Sequence, residues 1–474
     1  MRICLTLFAL LLAMETRFSV NATPLGQGAI AQWLAEDKNL PTEDFSRVAN
    51  PKPANPKQRA KWNSAAEEFT AANKSLAEFC KKRGLLEEAQ YHTEITKSNP
   101  GKSKPRMNTA KARDYLDYWE LLRDKFNGVA TKWMDYATVA KAGGDNEQYR
   151  AGVCQALKTF IDCPAAREAR GEAALEGLGW LPQARVDALR LATREGLAPP
   201  EDVAAFDTHH AKAGAGFVVL TRHFAICSTA RFDQTAKLAA GFDELYQTVA
   251  KLLGDAAALG DNRIGVFLYG TQAEFAQANS QREGATWSGG FYRARSGLAH
   301  FPLYAQSGAL LAANHELTHG IVDYALRGRP ATSYDGARGK QSEAAFFGVA
   351  EGIAMHLEGF VPGAPEQKLS AIAGRENTLK TLAKECRDLE ALFSQTAQTW
   401  SEDEADTVRN YAAAAAFTEY CLNAEPAKYG ACFMRLLENH YRCALEVSDF
   451  ERAFGAKRTD FEADFFKWYD GRFK

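Results

Sequence analysis

The chain has 474 residues, of which 46% are hydrophobic and 24% are charged. This composition is that of a globular protein with room for two or three hydrophobic cores, and it excludes a chain that is disordered throughout. The formal net charge of −2 shows no basic excess, so we expect no nucleic-acid partner.

The amino terminus has the pattern of a secretory signal peptide. Arg2 precedes residues 3–14, which are almost wholly apolar but too few to span a bilayer, and Val20 and Ala22 are the small or aliphatic residues expected before a cleavage site. We predict that residues 1–22 are removed near Ala22 and that the protein is exported to the periplasm or beyond the cell. A short uncleaved anchor is the alternative. No later apolar run is long enough for a membrane span.

Eight cysteines remain once Cys4 leaves with the signal peptide. An even number in an exported chain permits disulfides. Cys154 and Cys163 can close a small loop, and Cys421 and Cys432 can link two helices. Buried free thiols are the alternative, and none of the spacings is that of a CxxC metal site.

Residues 23–58 end in FSRVANPKPANPKQ and are predicted to be an extended segment or linker. Residues 59–200 are predicted to be an all-α region of helical hairpins, because apolar residues recur at three- and four-residue steps around a break at Gly84. GLLEEA (84–89) weakly matches GWLPQA (179–184), like the second-helix start of a tetratricopeptide-type hairpin. The region is a candidate surface for a protein partner, although plain packing of the hairpins is the simpler interpretation.

Residues 213–474 are predicted to form one α+β domain in which strands precede helices. AGAGFVVLTRHFAICST indicates a β-hairpin, residues 229–253 a helix that ends at Gly254, and NRIGVFLYG a strand. Thr271 and Glu274 form a capping box for the next helix. WSGGFYRARSGLAHFPL predicts further strand, and residues 309–326 predict a helix.

This last helix contains HELTH at residues 315–319. Positions four apart lie on one face of a helix, so the imidazoles of His315 and His319 can bind one zinc ion. Glu316 lies one step round the helix, where it flanks the ion and can act as a general base. A solvated or core pair of histidines is the alternative.

A catalytic zinc site needs a third protein ligand. FFGVAEGIAMHLEGF (346–360) supplies Glu351, and the small residues Gly352 and Ala354 would let its helix approach the first one closely. Glu343 and Asp323 are rival ligands that lack this setting. Glu358 lies two turns after Glu351 and can hydrogen-bond a ligand histidine.

HELTHGIVDY (315–324) followed by EGIAMHLE (351–358) resembles the zinc site of the gluzincin metallopeptidases, the superfamily of thermolysin and the zinc aminopeptidases. The chain is also similar to secreted bacterial gluzincin-like proteins of uncharacterised function that carry an N-terminal helical region. The likeness covers residues 213–474 and implies a gluzincin-like domain, a small mixed sheet plus helices. The chain departs from the pattern at FFG (346–348), where relatives often have Pro-Trp, and in the long segment 327–342.

The resemblance also implies roles for single residues. One Zn²⁺ ion would be bound by His315, His319 and Glu351, with Glu316 as the general base. Tyr411, in RNYAAAAAFTEYC (409–421), would donate a hydrogen bond to the oxyanion. An ordinary tyrosine at a helix start is the alternative, and Tyr420, Tyr334 and His440 are weaker candidates for the role. A substrate would pair with an edge strand within residues 289–301.

The sequence therefore favours a secreted zinc metallopeptidase that hydrolyses a peptide or protein substrate by Glu-assisted attack of water. The alternative is a gluzincin-like module that is not a peptidase, either a binding protein or a cell-wall amidase, with the helical region as interaction surface. The intact Glu316 favours catalysis, because a binding scaffold needs no general base. No G-x-M-E-N exopeptidase sequence is present, which favours an endopeptidase.

Overall fold

The computed structural model describes residues 53, 55–96, 110–212, 214–257, 262–280, 289–293, 297–303, 309–327, 345–382, 388–397, 399–400, 404–442 and 445–473. The predicted signal peptide, most of the predicted linker, Tyr334 and Glu343 lie outside these ranges, as does nearly all of the segment 327–342. Among the helices in these ranges, none combines the length and apolar character needed to cross a membrane.

The amino-terminal part is a helical unit with its own core. Its helices are α1 (Pro56–Arg83), α2 (Leu86–Glu94), α3 (Ala112–Ala142), α4 (Asn146–Thr159) and α5 (Pro164–Ala169). The Asn55 side chain caps α1 by accepting the Gln58 N–H, and Gly84 ends α1 in the left-handed conformation that glycine adopts readily. The predicted helical hairpin around Gly84 is therefore confirmed.

The prediction that this region is all-α through residue 200 is wrong beyond α5. Strands β1 (Glu172–Leu175) and β2 (Gly179–Pro182) pair antiparallel, and α6 (Gln183–Leu191), β3 (Thr193–Glu195) and α7 (Val203–His210) follow. GWLPQA is thus a strand that runs into a helix, not a second tetratricopeptide-like turn. Gly179 and Leu181 are buried and Trp180 less so, which is the alternation of a strand.

A six-stranded mixed sheet forms the centre of the carboxy-terminal part. Its further strands are β4 (Phe217–Leu220), β5 (Phe224–Ser228), β6 (Ile264–Tyr269), β7 (Phe291–Arg293) and β8 (Leu298–Pro302). The order is β3-β4-β5-β6-β8-β7, with antiparallel pairing only between β4 and β5 and between β7 and β8. Because β3 belongs to this sheet, the sheet begins before the predicted boundary at residue 213.

Several local predictions for the sheet region are confirmed. β4 and β5 form the hairpin, and α8 (Phe232–Leu253) ends before Gly254. Thr271 and Glu274 make the capping box ahead of α9 (Gln272–Ser280): the Glu274 carboxylate accepts the Thr271 N–H, and the Thr271 hydroxyl accepts the Glu274 N–H.

Helices dominate the rest of the chain, which confirms a mixed α+β architecture with a small mixed sheet. They are α10 (Ala309–Arg327), α11 (Phe347–Glu358), α12 (Glu376–Thr381), α13 (Leu389–Ser394), α14 (Glu404–Glu419), α15 (Ala431–Arg442), α16 (Phe450–Phe454) and α17 (Arg458–Phe473). Two π-helical turns, Tyr420–Ala424 and Pro426–Gly430, join α14 to α15.

The helical unit contacts the carboxy-terminal part at the end of α10. The Arg442 guanidinium lies 4.4 Å from the ring centroid of Tyr115 in α3 and donates to the carbonyl oxygens of Leu326 and Ala256, both at 2.6 Å. Leu326 is seven residues beyond His319, or about 10 Å along the helix axis. The amino-terminal and carboxy-terminal parts therefore contact each other near the carboxyl end of α10, the helix that carries HELTH.

The described cysteines are free thiols: Cys80, Cys154, Cys163, Cys227, Cys421 and Cys432. Neither predicted disulfide among them is formed, and the alternative of buried or half-buried thiols is the observed one. Cys386 and Cys443 lie outside the described residues.

Candidate metal centre

Helix α10 turns its apolar face to the sheet and its histidines to the opposite side. Leu317 and Ile321 are fully buried in one core cluster with residues of β6 and α11. His315 and His319 are offset from them by two helix positions, about 200°, so their side chains emerge on the far face. There their side chains keep 14% and 12% of their surface exposed.

The three predicted ligands converge. His315 Nε2 lies 3.1 Å from Glu351 Oε2, His319 Nε2 lies 3.4 Å from Glu351 Oε1, and the two Nε2 atoms are 3.3 Å apart. The ligand atoms all lie within 4.8 Å of one another, and this is the only such group among the described residues. Two imidazoles and a carboxylate are a donor set that zinc accepts. The predicted convergence is confirmed.

Glu358 lies beside His315, where the sequence predicted it. Its Oε2 is 3.4 Å from His315 Nδ1, which leaves Nε2 to face the other two ligands. Arg375 donates to both carboxylate oxygens of Glu358, from Nη1 to Oε1 at 2.5 Å and from Nη2 to Oε2 at 2.9 Å. Sequence reasoning missed Arg375, because it lies outside α11 and no periodic pattern links it to the site.

Asn314, directly before HELTH, was also missed. Its Nδ2 donates to the carbonyl oxygens of Glu358 and Phe360, at 3.0 Å and 2.9 Å. These oxygens are at the carboxyl end of α11, where no helical N–H is left to pair with them. The amide therefore ties the two metal-binding helices together at one end.

Gly352 has a different role from the predicted one. A Cβ at this position would lie 1.9 Å from Thr418 Oγ1 and 3.2 Å from the Ala414 carbonyl oxygen, and both of these residues belong to α14. The glycine therefore allows α11 to approach α14, whose alanines 412–416 are all buried. The expectation that it serves the approach to α10 is wrong.

We predict that Gly352→Ala lowers the free energy of unfolding by about 1–3 kcal/mol, because the added methyl group overpacks the contact with α14. Gly359→Ala is the matched control: it lies at the end of the same helix, and a Cβ there meets nothing within 4 Å. Urea denaturation followed by circular dichroism measures both. Equal stability of the two variants would contradict the packing role.

Glu316 lies outside the ligand group, as predicted. Its Oε2 accepts the backbone N–H of Tyr292 at 3.0 Å, so the carboxylate lies against the edge strand β7. Since this N–H points away from β8, Tyr292 presents its backbone to the outer edge of the sheet. The rival ligand Asp323 is not part of the group and accepts the Tyr292 hydroxyl at 2.8 Å.

Tyr411 faces the ligands from α14. Its ring centroid is 6.4 Å from that of His315 and 5.3 Å from that of Trp400, which packs edge-on. Burial, and then the charges of Glu351 and Glu316, raise the pKa of Tyr411 well above its usual value, so the phenol keeps its proton at neutral pH.

The rival oxyanion donors have other partners. Tyr420 is buried in an aromatic cluster with Tyr429, Phe461 and Trp468. His440 donates from Nδ1 to the Ala345 carbonyl oxygen at 3.0 Å.

The ligand group holds a proton when no metal is bound. Burial by itself would lower the pKa of His315, but hydrogen bonds to Glu351 and Glu358 and the charges of Glu351 and Glu316 outweigh it and raise the pKa to about 10. Burial would raise the pKa of Glu351, and the two histidines instead hold it well below its usual range.

Zinc must displace this proton, so we predict that binding at pH 8 releases roughly one proton. A pKa raised from 6.5 to about 10 stabilises the metal-free fold fully below pH 6.5, and this contribution is lost as the pH rises through 10. The increase in Tm on adding zinc should therefore be larger at pH 9 than at pH 6. Calorimetric titration in two buffers of different ionisation enthalpy counts the protons. A binding enthalpy that does not depend on the buffer would contradict the prediction.

Comparison of the chain with protein-family models, curated proteins and solved structures finds no match. Function is therefore inferred from the residues of the site.

Proposed function

We propose that the protein is an exported zinc metallopeptidase of the gluzincin type. The main support is that His315 and His319 from α10 and Glu351 from α11, 36 residues after His315, place three ligand atoms within 4.8 Å of one another. Glu316 follows the first ligand directly, and Tyr411 approaches from a third helix. Such a set of ligands, base and donor is suited to metal-assisted hydrolysis of an amide.

His315, His319 and Glu351 would hold the ion. When bound, zinc supplies a Lewis acid that polarises the substrate carbonyl and makes water nucleophilic near neutral pH. Glu358 and Arg375 orient His315 for this task, because they fix the Nδ1 side of its ring.

Glu316 is the proposed general base. It accepts a proton from the attacking water and delivers it to the leaving amine nitrogen, which needs a carboxylate within hydrogen-bond reach of both. Its contact with the edge strand β7, one residue after the ligand His315, supports this role. A substrate that lies along β7 as an added strand would pass directly over the carboxylate.

Tyr411 is the proposed oxyanion donor. A phenol that keeps its proton can donate a hydrogen bond to the negative oxygen that develops when water attacks the carbonyl. The place of Tyr411 opposite His315 supports the assignment.

A protein partner for the helical unit stays a prediction.

The test combines metal analysis with substrate turnover on the mature full-length protein. We expect one zinc ion per chain, and cleavage of casein or a peptide library that stops when zinc is removed by 1,10-phenanthroline and returns when zinc is added. Bound zinc with turnover only of cell-wall fragments would replace the peptidase by an amidase. Bound zinc with no hydrolysis of either substrate would indicate a binding module, and absence of zinc would overturn the proposal.

A further inference from the structure

Tyr292 joins the edge strand β7 to the metal helix α10 at three places. Its N–H donates to Glu316 Oε2 at 3.0 Å, its ring lies against Gly320, and its hydroxyl donates to Asp323 Oδ2 at 2.8 Å. Glu316, Gly320 and Asp323 lie on one face of α10, because positions three and four residues apart share a helix face. Tyr292 therefore contacts α10 along about 10 Å of its length.

We propose that Tyr292 is a positioning residue of the active site: its anchored phenol sets the gap between β7 and α10, and so fixes where Glu316 is held. The proposal rests on the peptidase function for its consequence in turnover. The contacts that carry it are independent of any substrate.

The middle contact depends on a glycine within α10. A Cβ at position 320 would lie 3.1 Å and 3.2 Å from two carbons of the Tyr292 ring, closer than ordinary packing allows. Glycine destabilises a helix interior relative to alanine, so its presence directly after His319 calls for a packing reason. The ring of Tyr292 supplies that reason, since it occupies the space that a side chain would fill.

The far contact is a fixed anchor. Asp323 is only 1% exposed, and a buried polar oxygen needs a protein donor, which the Tyr292 hydroxyl supplies to Asp323 Oδ2 at 2.8 Å. Breaking this hydrogen bond would leave a buried acceptor unsatisfied, which costs free energy. The tip of the Tyr292 side chain is therefore held on α10 one turn beyond His319.

The near contact, between the Tyr292 N–H and Glu316, makes the position of Glu316 depend on the anchored side chain. The phenol and the N–H belong to the same residue, so a shift of the ring along α10 also shifts the N–H that holds the carboxylate. A general base must stay within hydrogen-bond reach of its proton, and a misplacement of about 1 Å can cost about 100-fold in rate. Asp323, which the sequence offered as a candidate metal ligand, instead anchors strand β7 through the Tyr292 hydroxyl.

The test is Tyr292→Phe in the full chain, which keeps the ring against Gly320 and removes only the anchoring hydroxyl. We expect kcat to fall about 10–100-fold with zinc content and KM unchanged, the range known for groups that orient an active-site residue. Hydrogen exchange of the amide at position 292, read by mass spectrometry with residue-level fragmentation, should become faster. Asp323→Asn retains an acceptor oxygen and should keep most of the turnover, whereas Asp323→Leu should match Tyr292→Phe.

Tyr429→Phe is the matched control. Its hydroxyl also donates to a carboxylate, Asp464 Oδ2 at 2.7 Å, but it lies in the carboxy-terminal aromatic cluster. Equal loss of kcat in this control, or unchanged exchange at position 292 in Tyr292→Phe, would overturn the proposal. If the wild-type protein hydrolyses no amide, the peptidase function fails while the exchange measurement still decides whether the hydroxyl holds the strand.

Discussion

Glu316→Gln should abolish nearly all turnover, with kcat lower by about 10²–10⁴-fold, while zinc stays bound with unchanged stoichiometry. Glutamine has almost the same shape, and its carbonyl oxygen can still accept the Tyr292 N–H. It cannot take a proton from water, so the chemical step alone is lost. Because the three ligands are untouched, zinc content measured on the purified variant should equal that of the wild type.

Glu244→Gln is the matched control for this variant. Its Oε2 also accepts a backbone N–H, that of Gly363 at 2.7 Å, but it lies on the exposed side of α8. We expect wild-type turnover from it. Wild-type turnover by Glu316→Gln would exclude the peptidase mechanism, and loss of zinc from that variant would show that Glu316 supports the ligands instead.

Tyr411→Phe should lower kcat by about 10²–10³-fold with little change in KM, the cost known for the loss of one oxyanion donor. The hydroxyl forms its decisive hydrogen bond only when negative charge develops on the carbonyl oxygen, so substrate binding is spared. The ring keeps its edge-on contact with Trp400, and the fold should not change. Steady-state kinetics on a peptide identified in the library digest separates kcat from KM.

Tyr420→Phe provides the comparison, since this tyrosine was a rival for the same role and is buried in the aromatic cluster beyond α14. It should keep wild-type kinetics. A raised KM with unchanged kcat in Tyr411→Phe would assign Tyr411 to substrate binding. A loss of kcat in Tyr420→Phe and not in Tyr411→Phe would transfer the donor role to Tyr420.

The sequence by itself predicted the features that depend on short spacings. Histidines four apart share a helix face whatever the tertiary fold, and so the pairing of His315 with His319 followed from HELTH alone. Capping residues act within one helical turn, which is why Thr271 and Glu274 marked the start of α9. Glu358 was placed correctly for a related reason, because it lies two turns from Glu351 on the same face.

Local sequence patterns gave a wrong prediction where two similar segments adopt different secondary structures. GWLPQA and GLLEEA look alike as letters, but the first is a strand followed by a helix and the second a turn followed by a helix. The pairing of β2 with β1 decides the difference, and that partner lies outside the six letters compared.

Only the tertiary structure revealed how the site is held together. Arg375 reaches Glu358 from beyond α11, Tyr292 reaches Asp323 from the edge strand, and Gly352 faces α14 and not α10. Each contact joins residues at least 17 positions apart whose separation follows no helix or strand period. Periodicity fixes which way a side chain leaves its own element, but which element it meets depends on how helices and sheet pack, and a single sequence carries no local record of that packing.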